Sequence, residues 1–235
     1  MGPTAHRSPC ETFRADCDEL WRSLPEHPFL KELQAGTLPL EHFRFFLEQD
    51  IEFLEATVRA VGIALSRASD EKEMRLWIDK AALIVERELE NERGLLARVE
   101  EQTGRTEGPV IQAPATVAYG GWLVSVAVRG EPIDLLVAAH PCVWSYAAIA
   151  VELERDLAEH PIYSEWVRFF AGEDYTSAIE ARTAALDELL APLSETRIAE
   201  LSELFTMGTR LEVLFWDMAH GSKHWPDLDG VREVT

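Results

Sequence analysis

A cysteine in an apolar, aromatic segment is the most reactive group that the sequence offers. Cys142 lies in the stretch AAHPCVWSYAAIA, directly after Pro141. Tyr146 follows four residues later, and residues four apart share one face of a helix. A thiol in a pocket of this kind could attack an electron-poor carbon if a neighbouring group accepts its proton. The alternative is that Cys142 is a small buried packing residue.

Two carboxyl groups and a second phenol occur where helical periodicity predicts the protein interior. Asp50 lies near the apolar stripe that contains Phe46, and Glu212 precedes Phe215 by three residues. Tyr119 lies among apolar positions. A buried carboxylate must be paired, hydrogen-bonded or protonated. The set predicts an apolar pocket with a few polar groups, typical of small-molecule sites. Structural ion pairs and packing hydroxyls are the alternative.

The elements that must position these residues are helices. Apolar residues recur at spacings of three and four along most of the chain, and strand signals are nearly absent. Asp70 predicts a helix start, and Gly36 and Gly104 predict helix ends. We expect one helix over residues 10–26 and one long apolar helix over 131–159 with Pro141 inside it. The prediction is one all-α helical bundle over residues 16–235, after a flexible segment over residues 1–15.

Charge and composition limit the partners. The net charge of −20 disfavours nucleic acid and anionic membranes, which bind through Lys and Arg. It favours a cationic or neutral small molecule, or it is simply a solvated surface. We expect no membrane span and no secretory signal, which predicts a cytoplasmic protein. Three cysteines, an odd number, predict no disulfide framework.

A metal site is the weaker alternative. Helical di-iron proteins use Glu-x-x-His pairs, and this chain has none. The nearest pattern is Asp217-Met-Ala-His220, beside a predicted helix end. Phosphate-binding, dinucleotide-binding and Gly-x-Ser-x-Gly motifs are also absent from the sequence. We therefore expect neither a metal ion nor another cofactor.

Four segments of the chain resemble the TenA/thiaminase II family: HPFLKELQAGTLPLEHFRFFLEQD, HPCVWSYAAIAVELE, HPIYSEWVRFFAGEDY and LEVLFWDMAHGSKHWP. Their order and spacing agree with the family from about residue 15 to residue 227. Cys142 in the PCxWxY block resembles the branch of the family that carries the cysteine. The resemblance implies a heme-oxygenase-like fold without heme, assembled as a homotetramer.

The resemblance also implies an activity and a role for each polar residue. The activity is hydrolysis of aminomethyl-pyrimidines in thiamine salvage: deamination of 4-amino-5-aminomethyl-2-methylpyrimidine, hydrolysis of thiamine, or both. Asp50 would hydrogen-bond the aminopyrimidine ring, and Cys142 would add to that ring as the nucleophile. Glu212 would be the general acid and base. Tyr119 and Tyr146 would hold the pyrimidine.

Three aromatic residues are expected to line the same pocket: Phe53, Phe170 and Phe215. Phe53 and Phe170 stand where tyrosine is common in the family. Glu92 occupies a position where we expect histidine. These departures keep two alternatives open: a slow or non-catalytic pyrimidine-binding or regulatory protein on the same fold, and a metal-dependent heme-oxygenase-like oxidase.

Overall fold

The chain folds into helices joined by short connections. The computed structural model describes residues 7–104 and 109–226, and this part contains no β-strand. The prediction of an all-α fold is confirmed. In chain order, the helices are α1 (Pro9–Asp16), α2 (Asp18–Ser23), α3 (Pro28–Gln34), α4 (Leu40–Ser66), α5 (Glu71–Leu83), α6 (Leu89–Thr103), α7 (Pro114–Arg129), α8 (Pro132–Ala138), α9 (His140–Leu153), α10 (Tyr163–Ala171), α11 (Glu173–Leu190) and α12 (Glu195–Gly221). A π-helical turn, Ile84–Glu88, joins α5 to α6, and a 3-10 turn, Glu154–Asp156, follows α9.

The predicted helix boundaries at Asp70, Gly36 and Gly104 are confirmed. The Asp70 side chain accepts a hydrogen bond from the backbone N–H of Glu73 and so caps α5. Gly36 and Gly104 follow the ends of α3 and α6 in the left-handed conformation, with φ values of 70° and 66°. Glycine adopts this conformation without the steric cost that a Cβ atom imposes.

Two predicted helices are each divided into two. The expected helix over 131–159 ends at Ala138, and α9 begins at His140. Pro141 therefore lies in the first turn of α9, where its missing N–H breaks no intrahelical hydrogen bond. The expected helix over 10–26 is likewise interrupted at Cys17. The prediction of a proline-bent helix was wrong because apolar periodicity continues across both breaks.

The start of the described chain is packed against the rest of the protein. Cys10 and Phe13 of α1 are fully buried, and the backbone N–H of Cys10 donates to Asp187 at 2.8 Å. Pro9–Asp16 thus departs from the expected flexible segment over residues 1–15, because its apolar face belongs to the core. The remainder of that segment, residues 1–6, lies outside the described residues.

One stretch of the described chain, Pro132–Asp156, is long and apolar enough to cross a membrane, contrary to our expectation that no such stretch exists. Within its most apolar window, 72% is buried inside the protein. The stretch also contains the break between α8 and α9. Its apolar composition is accounted for by packing inside the bundle.

Helices α4 and α7 are held together closely at two places. The side-chain oxygen of Gln49 accepts hydrogen bonds from the Ala113 N–H at 2.8 Å and from the Thr116 hydroxyl at 2.7 Å. Further along, a Cβ atom added to Gly120 would lie 2.7 Å from the Cβ of Ala56. Glycine is therefore required for this contact. The two helices have a fixed register, and both carry predicted site residues.

Candidate functional site

The five polar residues expected in the pocket come together on four helices. Asp50 lies on α4, Tyr119 on α7, Cys142 and Tyr146 on α9, and Glu212 on α12. All are buried except Cys142, which is partly exposed. The charge of Glu212 and that of Asp50 both act on the Cys142 thiol. The structure therefore brings these five residues into one cluster.

Cys142 is the third residue of α9, behind the first-turn proline. A close approach between helices fixes this position: a Cβ atom on Gly208 of α12 would lie 2.6 Å from the Ala138 carbonyl oxygen and 2.9 Å from Cγ of Pro141. Burial, followed by the Glu212 and Asp50 charges, raises the pKa of the Cys142 thiol well above its ordinary value, while Lys80 opposes the shift. These surroundings therefore favour the neutral thiol over the thiolate.

Glu212 has the environment of an acid that titrates near neutrality. Its Oε1 atom accepts a hydrogen bond from the Tyr119 hydroxyl at 2.6 Å. Burial raises the pKa of Glu212 to about 7, although the hydrogen bonds from Tyr119 and Cys142 act in the opposite direction. A group with this pKa gains and loses a proton readily at neutral pH, as general acid and base catalysis requires.

The environment of Asp50 favours its neutral form. Burial raises the pKa of Asp50 well above its ordinary value, and the Glu212 and Glu88 charges add to the effect. A hydrogen bond from Tyr146 partly offsets these contributions. The environment of Asp50 therefore favours the protonated carboxyl group, which can donate as well as accept a hydrogen bond.

The three predicted aromatic residues form walls around this cluster. The Phe53 ring lies 4.4 Å from the Tyr119 ring and 5.7 Å from the Phe215 ring, centroid to centroid. The centroids of the Phe170 and Tyr146 rings lie 5.2 Å apart, and the ring planes form an angle of 72°. All three phenylalanines are buried. Every predicted site residue thus lies in one contiguous region.

Two further carboxyl groups, Glu88 and Glu92, join Asp50 and Glu212; we call these four residues the acidic cluster. Glu88 accepts a hydrogen bond from Tyr175 at 3.4 Å, whereas neither carboxylate oxygen of Glu92 has a hydrogen-bond partner among the described residues. Burial, with the charges of Asp50 and Glu88, raises the pKa of Glu92 well above its ordinary value, although nearby Asn91 and Trp166 act in the opposite direction.

Sequence reasoning noted the Glu92 substitution but missed Glu88. The two residues are four positions apart in ERELENE, which places them on one helical face. That spacing was an available signal. The π-helical turn ends at Glu88, and turns of this type are frequent at functional sites.

A small cavity of about 20 Å³ borders Cys142 and Phe53. It holds roughly one water molecule, so a pyrimidine ring enters only if lining side chains move. Lys80 of α5 and Arg182 of α11 also line it, and sequence reasoning singled out neither. A larger groove of about 660 Å³, which includes His160 and Phe169, contacts none of the predicted site residues.

The described residues give no metal-binding arrangement. Across 7–104 and 109–226, no three side chains of His, Cys, Asp or Glu are placed to hold a metal ion together. The acidic cluster is therefore a group of carboxyl groups in electrostatic contact, without the convergence that a metal ion requires.

The sequence of residues 14–222 matches the model of the TENA/THI-4/PQQC family. The chain belongs to this family. It is 29% identical to the aminopyrimidine aminohydrolase of Halalkalibacterium halodurans over 208 residues, which cover 88% of this chain and 92% of that protein. The resemblance inferred from the four sequence segments is confirmed.

Solved structures support the same assignment. A TenA family transcription regulator from Silicibacter sp. TM1040 has a TM-score of 0.81 and 28% identity, covering 90% of this chain and 96% of that one. Heme oxygenase-1 from the cyanobacterium Synechocystis sp. PCC6803 has a TM-score of 0.65 at 12% identity, covering 92% and 94%. This second likeness concerns the fold alone and confirms the heme-oxygenase-like prediction.

Proposed function

We propose that this TenA-family protein hydrolyses aminomethyl-pyrimidines with Cys142 as the nucleophile. The observation that carries the proposal is the position of one buried carboxyl group, Glu212, which accepts a 2.6 Å hydrogen bond from the Tyr119 hydroxyl and interacts electrostatically with the Cys142 thiol. A carboxyl group with a pKa of about 7 beside a thiol is a suitable acceptor for the thiol proton. The name of the Halalkalibacterium relative agrees with this reaction class.

Binding of the substrate converts the Cys142 thiol to the reactive thiolate. Asp50 passes its proton to a nitrogen of the aminopyrimidine ring, which becomes cationic and electron-poor. The positive charge then lies close to Cys142, and an opposite charge nearby favours the thiolate. The thiol proton moves to Glu212. A reactive thiolate therefore forms only when a pyrimidine is bound.

The bonds change in two stages. The thiolate adds to the pyrimidine ring, and the bond between the exocyclic methylene carbon and its amine or thiazolium nitrogen breaks. The departing nitrogen keeps the electron pair, and an amine takes a proton from Glu212. When a thiazole departs, it needs no proton, and Glu212 releases its proton to solvent instead. Water then adds to the methylene carbon, and the ionised Glu212 accepts the proton of that water. The thiolate leaves the ring and regains its proton from Glu212, and Asp50 regains the ring proton. The products are the hydroxymethyl-pyrimidine and either ammonia or the free thiazole.

The test is steady-state hydrolysis of 4-amino-5-aminomethyl-2-methylpyrimidine and of thiamine by the natural protein and by Cys142→Ser. We expect turnover by the natural protein and a loss of at least about 10³-fold in the variant, because serine is a much weaker nucleophile at this pH. Cys10→Ser is the matched control and should retain activity, since Cys10 is buried on α1 away from the pocket.

Other results would favour the alternatives. Binding of a pyrimidine without turnover by folded protein would indicate the binding or regulatory protein, with Phe53 and Phe170 in place of family tyrosines. Stoichiometric iron or manganese in the purified protein would indicate the metal-dependent oxidase.

We also propose a cytoplasmic homotetramer. Val117 and Val128 lie eleven residues apart on α7, which places them on one helical face, and they are 42% and 59% exposed. An exposed apolar face of this kind suits a subunit contact. Light scattering should give four times the 26.5 kDa chain mass. A single-chain mass would contradict the assembly without affecting the chemistry.

A further inference from the structure

Two basic side chains share a cavity with the cysteine. Lys80 from α5 and Arg182 from α11 line the cavity that borders Cys142, and both are half-buried. Among the described residues, no carboxylate lies within 4.0 Å of either cation as an ion-pair partner. Other arginines on this protein do form such pairs, for example Arg44 with Glu100 at 3.1 Å.

This pairing of cations is unusual for the chain. The protein has 42 acidic and 22 basic residues, and only four of the basic residues are lysines. Burial, together with the Arg182 guanidinium, lowers the pKa of Lys80 to about 8. Glu88 is the carboxyl group that interacts with both cations, but burial raises the pKa of Glu88 despite them. Glu88 also lines the cavity, but one carboxyl group carries at most one negative charge and does not balance two cations.

We infer that Lys80 and Arg182 form a subsite for a phosphate group carried by the departing part of the substrate. The inference rests on the proposed function and narrows its substrate class. A phosphate monoester carries a charge of about −1.5 to −2 at neutral pH, which two cations match. The planar guanidinium of Arg182 can donate two parallel hydrogen bonds to phosphate oxygens, and the Lys80 ammonium adds a point charge.

The position of Cys142 indicates which part of the substrate lies next to this subsite. Cys142 interacts with the Asp50 and Glu212 carboxyl groups and also borders the cavity that contains the cations. Asp50, Tyr119, Tyr146 and Glu212 do not line that cavity. A pyrimidine ring held by Asp50 and attacked by Cys142 therefore directs its departing group towards Lys80 and Arg182. Because the cavity has a volume of only about 20 Å³, the lining side chains must move apart to admit that group.

The substrate class is an aminopyrimidine joined through its methylene carbon to a group that bears a phosphate ester. Thiamine monophosphate is the simplest probe of this class. Its hydrolysis breaks the bond between the methylene carbon and the thiazolium nitrogen, which keeps the electron pair. Water supplies the hydroxyl group of the pyrimidine product and releases one proton. The phosphate ester remains intact on the thiazole product.

The experiment compares kcat/KM for thiamine monophosphate and for thiamine in the natural protein, Lys80→Met and Arg182→Gln. Lys72→Met is the matched control, because Lys72 is an exposed lysine on the same helix. We expect the natural protein to prefer the phosphorylated substrate by about tenfold or more, because charge-assisted hydrogen bonds are stronger than those between neutral groups. Each variant should lose most of this preference, and Lys72→Met should keep it.

The ratio of kcat/KM for thiamine monophosphate to kcat/KM for thiamine distinguishes loss of phosphate binding from an effect on the Cys142 thiol. Lys80 also acts on the Cys142 pKa, so Lys80→Met can slow both substrates equally. An unchanged ratio in both variants would overturn the phosphate subsite while leaving the proposed function in place.

Binding tests the subsite independently of turnover. Calorimetry with natural protein should show tighter binding of thiamine monophosphate than of thiamine, and Arg182→Gln should remove the difference. Equal affinities would overturn the inference. Failure to hydrolyse any of the pyrimidines, with this binding preference intact, would contradict the proposed function and support the subsite.

Discussion

Glu212 and Glu92 are both buried carboxyl groups of the acidic cluster, but they differ in their hydrogen bonds. Glu212 receives a 2.6 Å hydrogen bond from Tyr119, and burial raises its pKa to about 7. Glu92 has no partner that meets hydrogen-bond geometry among the described residues, and its pKa is raised well above the ordinary value by burial first. Burial raises the pKa of both carboxyl groups, and the neighbouring charges add to the shift at Glu92, whereas the Tyr119 hydrogen bond opposes the shift at Glu212.

Glu212→Gln tests the first half of this comparison and has the largest expected effect. Glutamine keeps the shape of the side chain and can still meet Tyr119, but it cannot accept the thiol proton. We expect kcat/KM to fall by about 10²-fold or more. Glu203→Gln, an exposed change on the same helix, should have no effect. Full activity in Glu212→Gln would mean that another group takes the proton.

The pH profile of the natural protein gives the next largest effect. Only the ionised form of Glu212 can accept the thiol proton, so activity requires deprotonation of a group whose pKa is about 7. Between pH 6 and pH 8, kcat/KM should rise about tenfold. The rise should disappear in Glu212→Gln. A kcat/KM that stays constant from pH 6 to pH 8 would show that Glu212 does not accept the thiol proton.

Gly208→Ala tests whether the position of the Cys142 thiol affects activity when the carboxyl groups of the acidic cluster are unchanged. The new Cβ atom would meet the Ala138 carbonyl oxygen at 2.6 Å, so α12 or the start of α9 must shift. We expect a loss of about 1–3 kcal/mol in the free energy of unfolding. Activity should fall even where the variant is fully folded. Thermal unfolding and kcat measure the two effects.

Gly62→Ala is the control for that substitution. A Cβ atom there meets nothing within 4 Å, and Gly62 is an exposed residue inside α4. Alanine should stabilise this helix by about 0.5–1 kcal/mol and leave activity unchanged. Equal destabilisation by both changes would contradict the close-contact explanation.

Glu92→Gln tests the second half of the comparison through stability and its dependence on pH. Because the folded-state pKa of Glu92 lies above its unfolded value, the native protein binds more protons, and stability falls as pH rises above about 4.5. Glutamine removes this contribution. At pH 8 the variant should be more stable by about 1–3 kcal/mol, and at pH 4 the two proteins should be nearly equal. Chemical denaturation at both pH values, with the exposed Glu90→Gln as control, measures this.

Much of the fold was predictable because its signals are local. Asp70, Gly36 and Gly104 mark helix boundaries through capping chemistry and backbone conformation, which depend on single residues. The breaks at Ala139 and Cys17 were missed because apolar residues continue at helical spacing on both sides. The π-helical turn also has no local signature in IVERE.

The candidate site was predictable where a polar residue interrupts an apolar face. Asp50, Tyr119 and Glu212 stand out in this way, and all three are buried together. Lys80 and Arg182 do not stand out, because a basic residue on a charged helix surface is ordinary. Only the packing of α5 and α11 around the cavity distinguishes them.

The hydrogen bonds of the Gln49 side-chain amide restrict which parts of the pocket can change during evolution. It fastens the start of α7 to the helix that carries Asp50, while Gly208 fixes α12 against the start of α9. Mutations that moved these helices would disturb several reactive groups at once. Lys80 and Arg182 lie on α5 and α11, outside those contacts. New substrate preferences can therefore evolve by exchanging side chains on α5 and α11 while the reaction chemistry stays unchanged.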